Sequence, residues 1–319
     1  MLLGLLLVAG CSPSSDAPAG SSTGGKLRVA VSIPPQGYFA RRIGGEHVDV
    51  SVILGAGQSH STYEPTPKQL ASLSEDRVLF CIGVLFEQSI VKKLADMYPN
   101  LEMVDTRQDV PLRRMDASES AYHVERAPGE GDEHADHDHD HDHDHAHAHE
   151  DLFACEGEFD PHIWLSPRLA KIQARTMCET MKRLDPDHAD AFERSYAAFS
   201  ADMDALDAEL AAKLKPFAGQ TIFVFHPAFG YFTEAYGLKQ KAVEIAGREP
   251  SAQQLARLID QAKAAKVKLI FVQAQFGATS TKALAESIGG SVESIDPLSG
   301  DYIENLRDMA AKIAAALQR

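Results

Sequence analysis

From residue 26 onward, short apolar runs alternate with stretches in which apolar residues recur every three or four positions. LRVAVS (27–32), HVDVSVIL (47–54), RVLFCIG (77–83) and LEMVD (101–105) are runs of five to eight residues rich in Val, Ile and Leu. That length and composition predict buried strands. GYFARRIG (37–44, introduced by Pro34-Pro35), PKQLASLS (67–74) and EQSIVKKLADMY (87–98) lie between them with helical spacing. Strand–helix alternation of this kind predicts βα units on a parallel sheet.

A polar insert follows over about 107–158, and the pattern then changes. PRLAKIQARTMCETMKRLD (167–185) keeps a 3.6-residue period, and Pro186 interrupts it. Residues 187–217 continue in helical spacing with no Gly and no Pro before Pro216. A helix over that span would be about 45 Å long, more than one small lobe needs. It predicts a rigid strut. Alternation then resumes: TIFVFH (221–226), LKQKAVEI (238–245), KLIFVQ (268–273) and GSVESID (290–296) are strand candidates among four further helical segments. The expected fold is α/β: two Rossmann-like βα lobes, 26–185 and 218–319, joined by the helix at 186–217.

The N-terminus stands apart. MLLGLLLVAGC (1–11) is a short apolar run ending in Val8-Ala9-Gly10-Cys11, and the Gly/Ser-rich stretch 12–25 follows it. The run is too short to span a bilayer and reads as an export signal. The cysteine after Val-Ala-Gly resembles a bacterial lipobox, with Cys11 lipidated and 12–25 a flexible tether. The expectation is therefore an extracytoplasmic, periplasmic or cell-surface protein anchored to a bacterial membrane. Export also implies an oxidising compartment. Cys81, Cys155 and Cys178 allow at most one intramolecular disulfide, and spacing does not select it.

Charge sharpens the picture of the insert. The chain carries −15, but ten acidic residues and no Lys or Arg lie between Gly129 and Asp151, so the remainder carries only −5. Neither part offers a basic stripe, which excludes nucleic acid as a partner. The segment HADHDHDHDHDHAHAHE (134–150) places His134, His137, His139, His141, His143, His145, His147 and His149 among aspartates. Alternating His and Asp cannot build a core, so this loop is expected to be disordered without metal and to act as an auxiliary metal-collecting segment.

In open α/β sheets, ligands bind beyond the carboxyl ends of the strands. Three metal-capable residues follow predicted strands: His60 in GAGQSHSTYEPTP, His226 closing TIFVFH, and Asp296 closing GSVESID. His162, in FDPHIWLSP, lies on the approach to the helical segment. Each has a plain alternative: a solvated loop histidine, a satisfied buried histidine, a turn aspartate, and an imidazole packed on Trp164. Three imidazoles and one carboxylate would suit tetrahedral zinc, whereas manganese favours more oxygen. Asp160 either orients His162 or caps a turn. Glu64 either supports the His60 loop or lies at the surface. His47 and His188, at element ends, are expected to be solvated.

GQSHSTYEPTPKQL, FDPHIWLSPRLAKIQA, FHPAFGYFTEAYGL and SIDPLSGDYIENL, in that order, resemble the metal-binding lipoproteins of bacterial ABC transporters, in particular the zinc-uptake (ZnuA-like) branch of the cluster A-I family. The resemblance covers about 26–319. It implies two lobes bridged by one backbone helix, with metal in the cleft between them. It also implies His60, His162 and His226 as imidazole ligands and Asp296 at the fourth-ligand position. The cargo would be Zn(II), the partner a membrane permease, and the protein a monomer without enzymatic activity. The manganese branch carries Glu where His226 stands. The chain departs from the family at Val272-Gln273-Ala274-Gln275, where relatives often carry a Glu-Pro-Gln-type sequence, and no role follows for Gln273 or Gln275. A manganese- or iron-binding relative and a surface adhesin are the alternatives. A zinc hydrolase lacks HExxH, GxSxG and an evident general base.

Overall fold

The computed structural model describes residues 25–115, 159–242, 252–264, 267, 269–273, 275 and 285–318. The signal and tether, Cys155, and the eight histidines of the insert lie outside the described residues. In the first lobe, strands β1 (Leu27–Val31), β2 (Val48–Val52), β3 (Val78–Cys81) and β4 (Glu102–Asp105) form one sheet in the order β2-β1-β3-β4. All three pairings are parallel, with Leu27 opposite Val48, Val29 opposite Val78, and Val78 opposite Glu102. Central β3 is buried at every residue, and edge strand β2 alternates. This is the difference expected between a strand covered on both faces and one at the margin. Helices α1 (Pro34–Gly44), α2 (Pro67–Ser72) and α3 (Leu85–Met97) are the crossovers. Pro34 and Pro67 each stand in a first helical turn, where a missing N–H costs nothing.

The second lobe repeats the plan. Strands β5 (Thr221–Val224), β6 (Lys239–Ala242), β7 (Leu269–Gln273) and β8 (Ser291–Ile295) order as β6-β5-β7-β8, again all parallel. Its edges carry Lys239, Lys241 and Glu293, charges that discourage edge-to-edge pairing.

Between the lobes run α4 (Pro167–Leu184) and the strut α5 (Ala189–Leu214). The strut has 26 residues, shorter than the span 187–217 suggests. The chain tightens into 3₁₀ turns at Pro186–His188 and Lys215–Phe217, where the prolines deny the α-helix its hydrogen bonds. Phe192, Phe199, Met203, Leu206, Leu210 and Leu214 form its buried stripe. The first lobe meets this stripe through Phe39, whose ring lies 5.4 Å from Phe199. Phe39 also lies 4.8 Å from Tyr302, which opens the C-terminal helix (Tyr302–Leu317). One hydrophobic cluster therefore spans both lobes and the strut. A smaller one, including Phe225, Ile270, Val272 and Ile288, belongs to the second lobe alone.

The insert is narrower than the polar composition predicts. Residues 107–115 belong to the fold: Arg107 forks onto Asp105, and Arg114 and Phe159 pair as an antiparallel bridge across the insert's base. Cys81 and Cys178 are buried free thiols. Among the described residues no helix is long and apolar enough to cross a membrane.

Candidate metal centre

His60 sits on the loop after β2. The strand end is held by Ile53 N–H donating to Val31 and Leu54 N–H to Ser32. The far end of the loop is fixed by a capping box at Thr66 and Gln69, which removes free donors from the start of α2. Tyr63 Oη and Gln69 Nε2 both donate back to the Ile53 carbonyl, at 2.9 and 3.0 Å. A loop tied at both ends holds His60 inward, where it is buried. Glu64 takes no part in this: it is exposed, and Tyr63 and Gln69 supply the support expected of it.

His162 precedes a 3₁₀ turn, Ile163–Leu165. Asp160, fully buried, accepts from the His162 backbone N–H at 3.0 Å and from its Nδ1 at 2.7 Å, both through Oδ1. Its other oxygen receives Arg113 Nη1 at 2.7 Å. Burial raises the pKa of Asp160, but His162 and then Arg113 outweigh it, and the carboxyl titrates below its ordinary range. Asp160 is thus an anion that keeps a proton on Nδ1 of His162 and turns the Nε2 lone pair toward the other two imidazoles. Room for this pair comes from Gly230, the first residue of α6 (Gly230–Ala235), where an added β-carbon would overlap the Arg113 guanidinium.

His226 follows β5. Gln273, at the end of neighbouring β7, accepts from His226 N–H at 3.1 Å and donates to the His226 carbonyl at 2.6 Å. One side-chain amide therefore continues the ladder past the last strand residue and fixes the backbone from which the imidazole projects.

The three imidazoles converge. Their ligand nitrogens all lie within 4.8 Å of one another, and all three residues are buried. Nε2 of His162 is 3.0 Å from Nε2 of His60 and 3.3 Å from Nε2 of His226. Nitrogens 2.0–2.1 Å from a tetrahedral zinc ion would be about 3.3 Å apart, so the spacing suits that ion. Two such nitrogens at 3.0 Å need a proton or a cation between their lone pairs. Burial first, then His162 and His226, hold the pKa of His60 well below 6.5, so its imidazole is neutral. Neutral imidazole is the metal-binding form.

Asp296 lies outside this group. Its Oδ1 accepts from Gln275 Nε2 at 2.5 Å and from Leu298 N–H at 2.9 Å. Trp164 forms a wall of the cluster, its ring 5.2 Å from that of His162 and 6.0 Å from that of His60. Its indole N–H donates to Pro297 at 2.7 Å, and its carbonyl accepts from Tyr302 Oη at 2.6 Å, so the wall belongs to both lobes. His47 and His188 are not simply solvated: they stack with ring centroids 3.9 Å apart, and His188 bonds Asp185.

The chain belongs to the family of zinc-uptake complex component A periplasmic proteins (ZnuA), which matches residues 29–316. The high-affinity zinc uptake system protein ZnuA of Bacillus subtilis (strain 168) is 30% identical over 299 residues, 92% of this chain and 86% of that one. A crystal structure of a ZnuA superposes with a TM-score of 0.75 at 37% identity, covering 92% of this chain and 99% of the other. A ZnuA deletion mutant with zinc bound gives 0.74 at 38% identity, covering 91% and 98%. The family is a metal-binding transport component, and its description places it in the periplasm.

Proposed function

We propose that the protein captures Zn(II) outside the cytoplasmic membrane with His60, His162 and His226 and delivers it to the permease of an ABC transporter. The convergence of three buried imidazoles from separate segments carries this reading. An all-nitrogen set favours zinc over manganese, which prefers oxygen donors. Cys11 anchors the monomer to a membrane through lipid, and the histidines at 134–149 gather zinc near the cleft without forming the tight site. The metal is cargo held for transfer, not a catalyst.

Competition titration against a zinc chelator tests the site. Wild type should hold a single tight zinc, and H60A/H226A should lose it with an unchanged circular dichroism spectrum. Deletion of 129–151 should lower the total zinc bound and spare the tight site. Tight binding that survives the double substitution, or disappears with the loop, would overturn the assignment.

A further inference from the structure

His162 is the middle member of the histidine cluster. Its Nε2 lies 3.0 Å from that of His60, a first-lobe residue, and 3.3 Å from that of His226, a second-lobe residue. The chain is fastened to the second lobe on both sides of it. On the N-terminal side, Asp160 N–H donates to the Arg113 carbonyl at 3.0 Å, and Asp160 Oδ2 accepts from Arg113 Nη1 at 2.7 Å. Arg113 in turn donates its backbone N–H to Tyr231 Oη of α6 at 2.9 Å, and its guanidinium lies 3.3 Å from the Glu234 carboxylate. On the C-terminal side, Trp164 donates its indole N–H to the Pro297 carbonyl at 2.7 Å, and its own carbonyl accepts from Tyr302 Oη at 2.6 Å. Asp160, Trp164, Tyr231 and Tyr302 are all buried, so breaking either fastening leaves a polar group without a partner.

We propose that these two fastenings set the rate of metal release: His162 is a first-lobe residue held in place by the second lobe, and Tyr231 and Tyr302 are its positioning residues. The inference rests on the zinc-binding reading of the histidine cluster. Release separates His226 from His60 and His162, and parting the lobes to do so also breaks the bonds at Tyr231 and Tyr302. These bonds add to the barrier against dissociation and take no part in the first encounter with the ion. Their loss therefore shows in the off-rate. A partner that grips both lobes and draws them apart would break the same bonds, which couples docking to delivery.

The test uses the full chain loaded with a single equivalent of Zn(II) and compares wild type, Y231F, Y302F and Y231F/Y302F. Each substitution removes one hydroxyl, keeps the ring and spares every histidine. Y236F is the control: Tyr236 is also buried in the second lobe, but its hydroxyl lies 3.3 Å from Asp207 of the strut, away from the His162 segment. Stopped-flow mixing with an excess of chromogenic chelator reads zinc dissociation, mixing with free Zn(II) reads association, and thermal melts read stability. Y231F and Y302F should each speed dissociation about fivefold, the scale of one buried hydrogen bond, with association unchanged. Their effects should multiply in the double variant, because the two bonds share no partner. Y236F should release zinc at the wild-type rate whatever it does to the melt. The proposal falls if either hydroxyl can be removed without speeding release, or if Y236F speeds it equally, which would mean general loosening. Absence of tight zinc binding in wild type would instead remove the reading of the cluster itself.

Discussion

Oδ1 of Asp160 accepts both the backbone N–H and the ring Nδ1 of His162, at 3.0 and 2.7 Å. One oxygen thereby sets the position of the residue and the tautomer of its ring. D160N removes the charge and allows the amide to turn a donor toward Nδ1. Zinc affinity should fall by about 10–100-fold, while H60A/H226A loses tight binding altogether. Chelator competition measures this, and an unchanged affinity would show that Asp160 only caps its turn.

Gly230 makes room for that arrangement. Its added β-carbon would overlap Arg113 and come within 2.5 Å of Asp160 Oδ2. G230A should destabilise the protein by about 1–3 kcal/mol through local overpacking and should also weaken zinc binding. Thermal melts and zinc titrations on the same sample separate the two effects. Lost stability with normal affinity would uncouple Gly230 from the metal centre.

Glu87 predicts a pH dependence. It is fully buried at the start of α3, accepting from Ile82 N–H at 2.9 Å and from Gly83 N–H at 2.6 Å. Burial pushes its pKa up to about 7, against the pull of the Ser32 hydroxyl and those N–H groups. The folded state therefore holds this proton more tightly than the unfolded state. Its stabilising contribution is complete below the unfolded value of 4.5 and is lost as pH rises through about 7. E87Q keeps an acceptor and abolishes the titration. His60, with its lowered pKa, contributes the opposite slope in both proteins and cancels in the comparison. Urea melts with chelator present should show wild type losing stability relative to E87Q between about pH 5 and 8. Parallel pH profiles would refute this.

Trp164 is the sole tryptophan and lies against two of the three imidazoles. Its emission should change on zinc addition and saturate at a single equivalent in the variant lacking 129–151. H60A/H226A should abolish the response. A signal that keeps growing with added zinc would mean that it reports another site.

Much of this was legible in the chain. Strand β3 reads as an unbroken apolar run because it is covered on both faces, and α5 announces itself by spacing over many turns. His60 and His226 stand out because parallel sheets deliver functional residues at strand ends. The supports were not legible. Arg113 is 47 positions from Asp160 and lies at the edge of a polar insert, where nothing in its neighbours marks it. Gln273 grips backbone rather than side chain, so its role depends on β5 lying beside β7. Asp296 has the right chemistry for a ligand, but nothing in the sequence marks its bond to a glutamine two residues beyond β7.

Among the described residues, the cluster that joins Phe39, Phe199 and Tyr302 runs through both lobes and the strut. The two halves are therefore expected to fold together. The protein should melt in one cooperative transition, and a chain severed within α5 should leave two fragments that are sticky and poorly ordered until they are mixed.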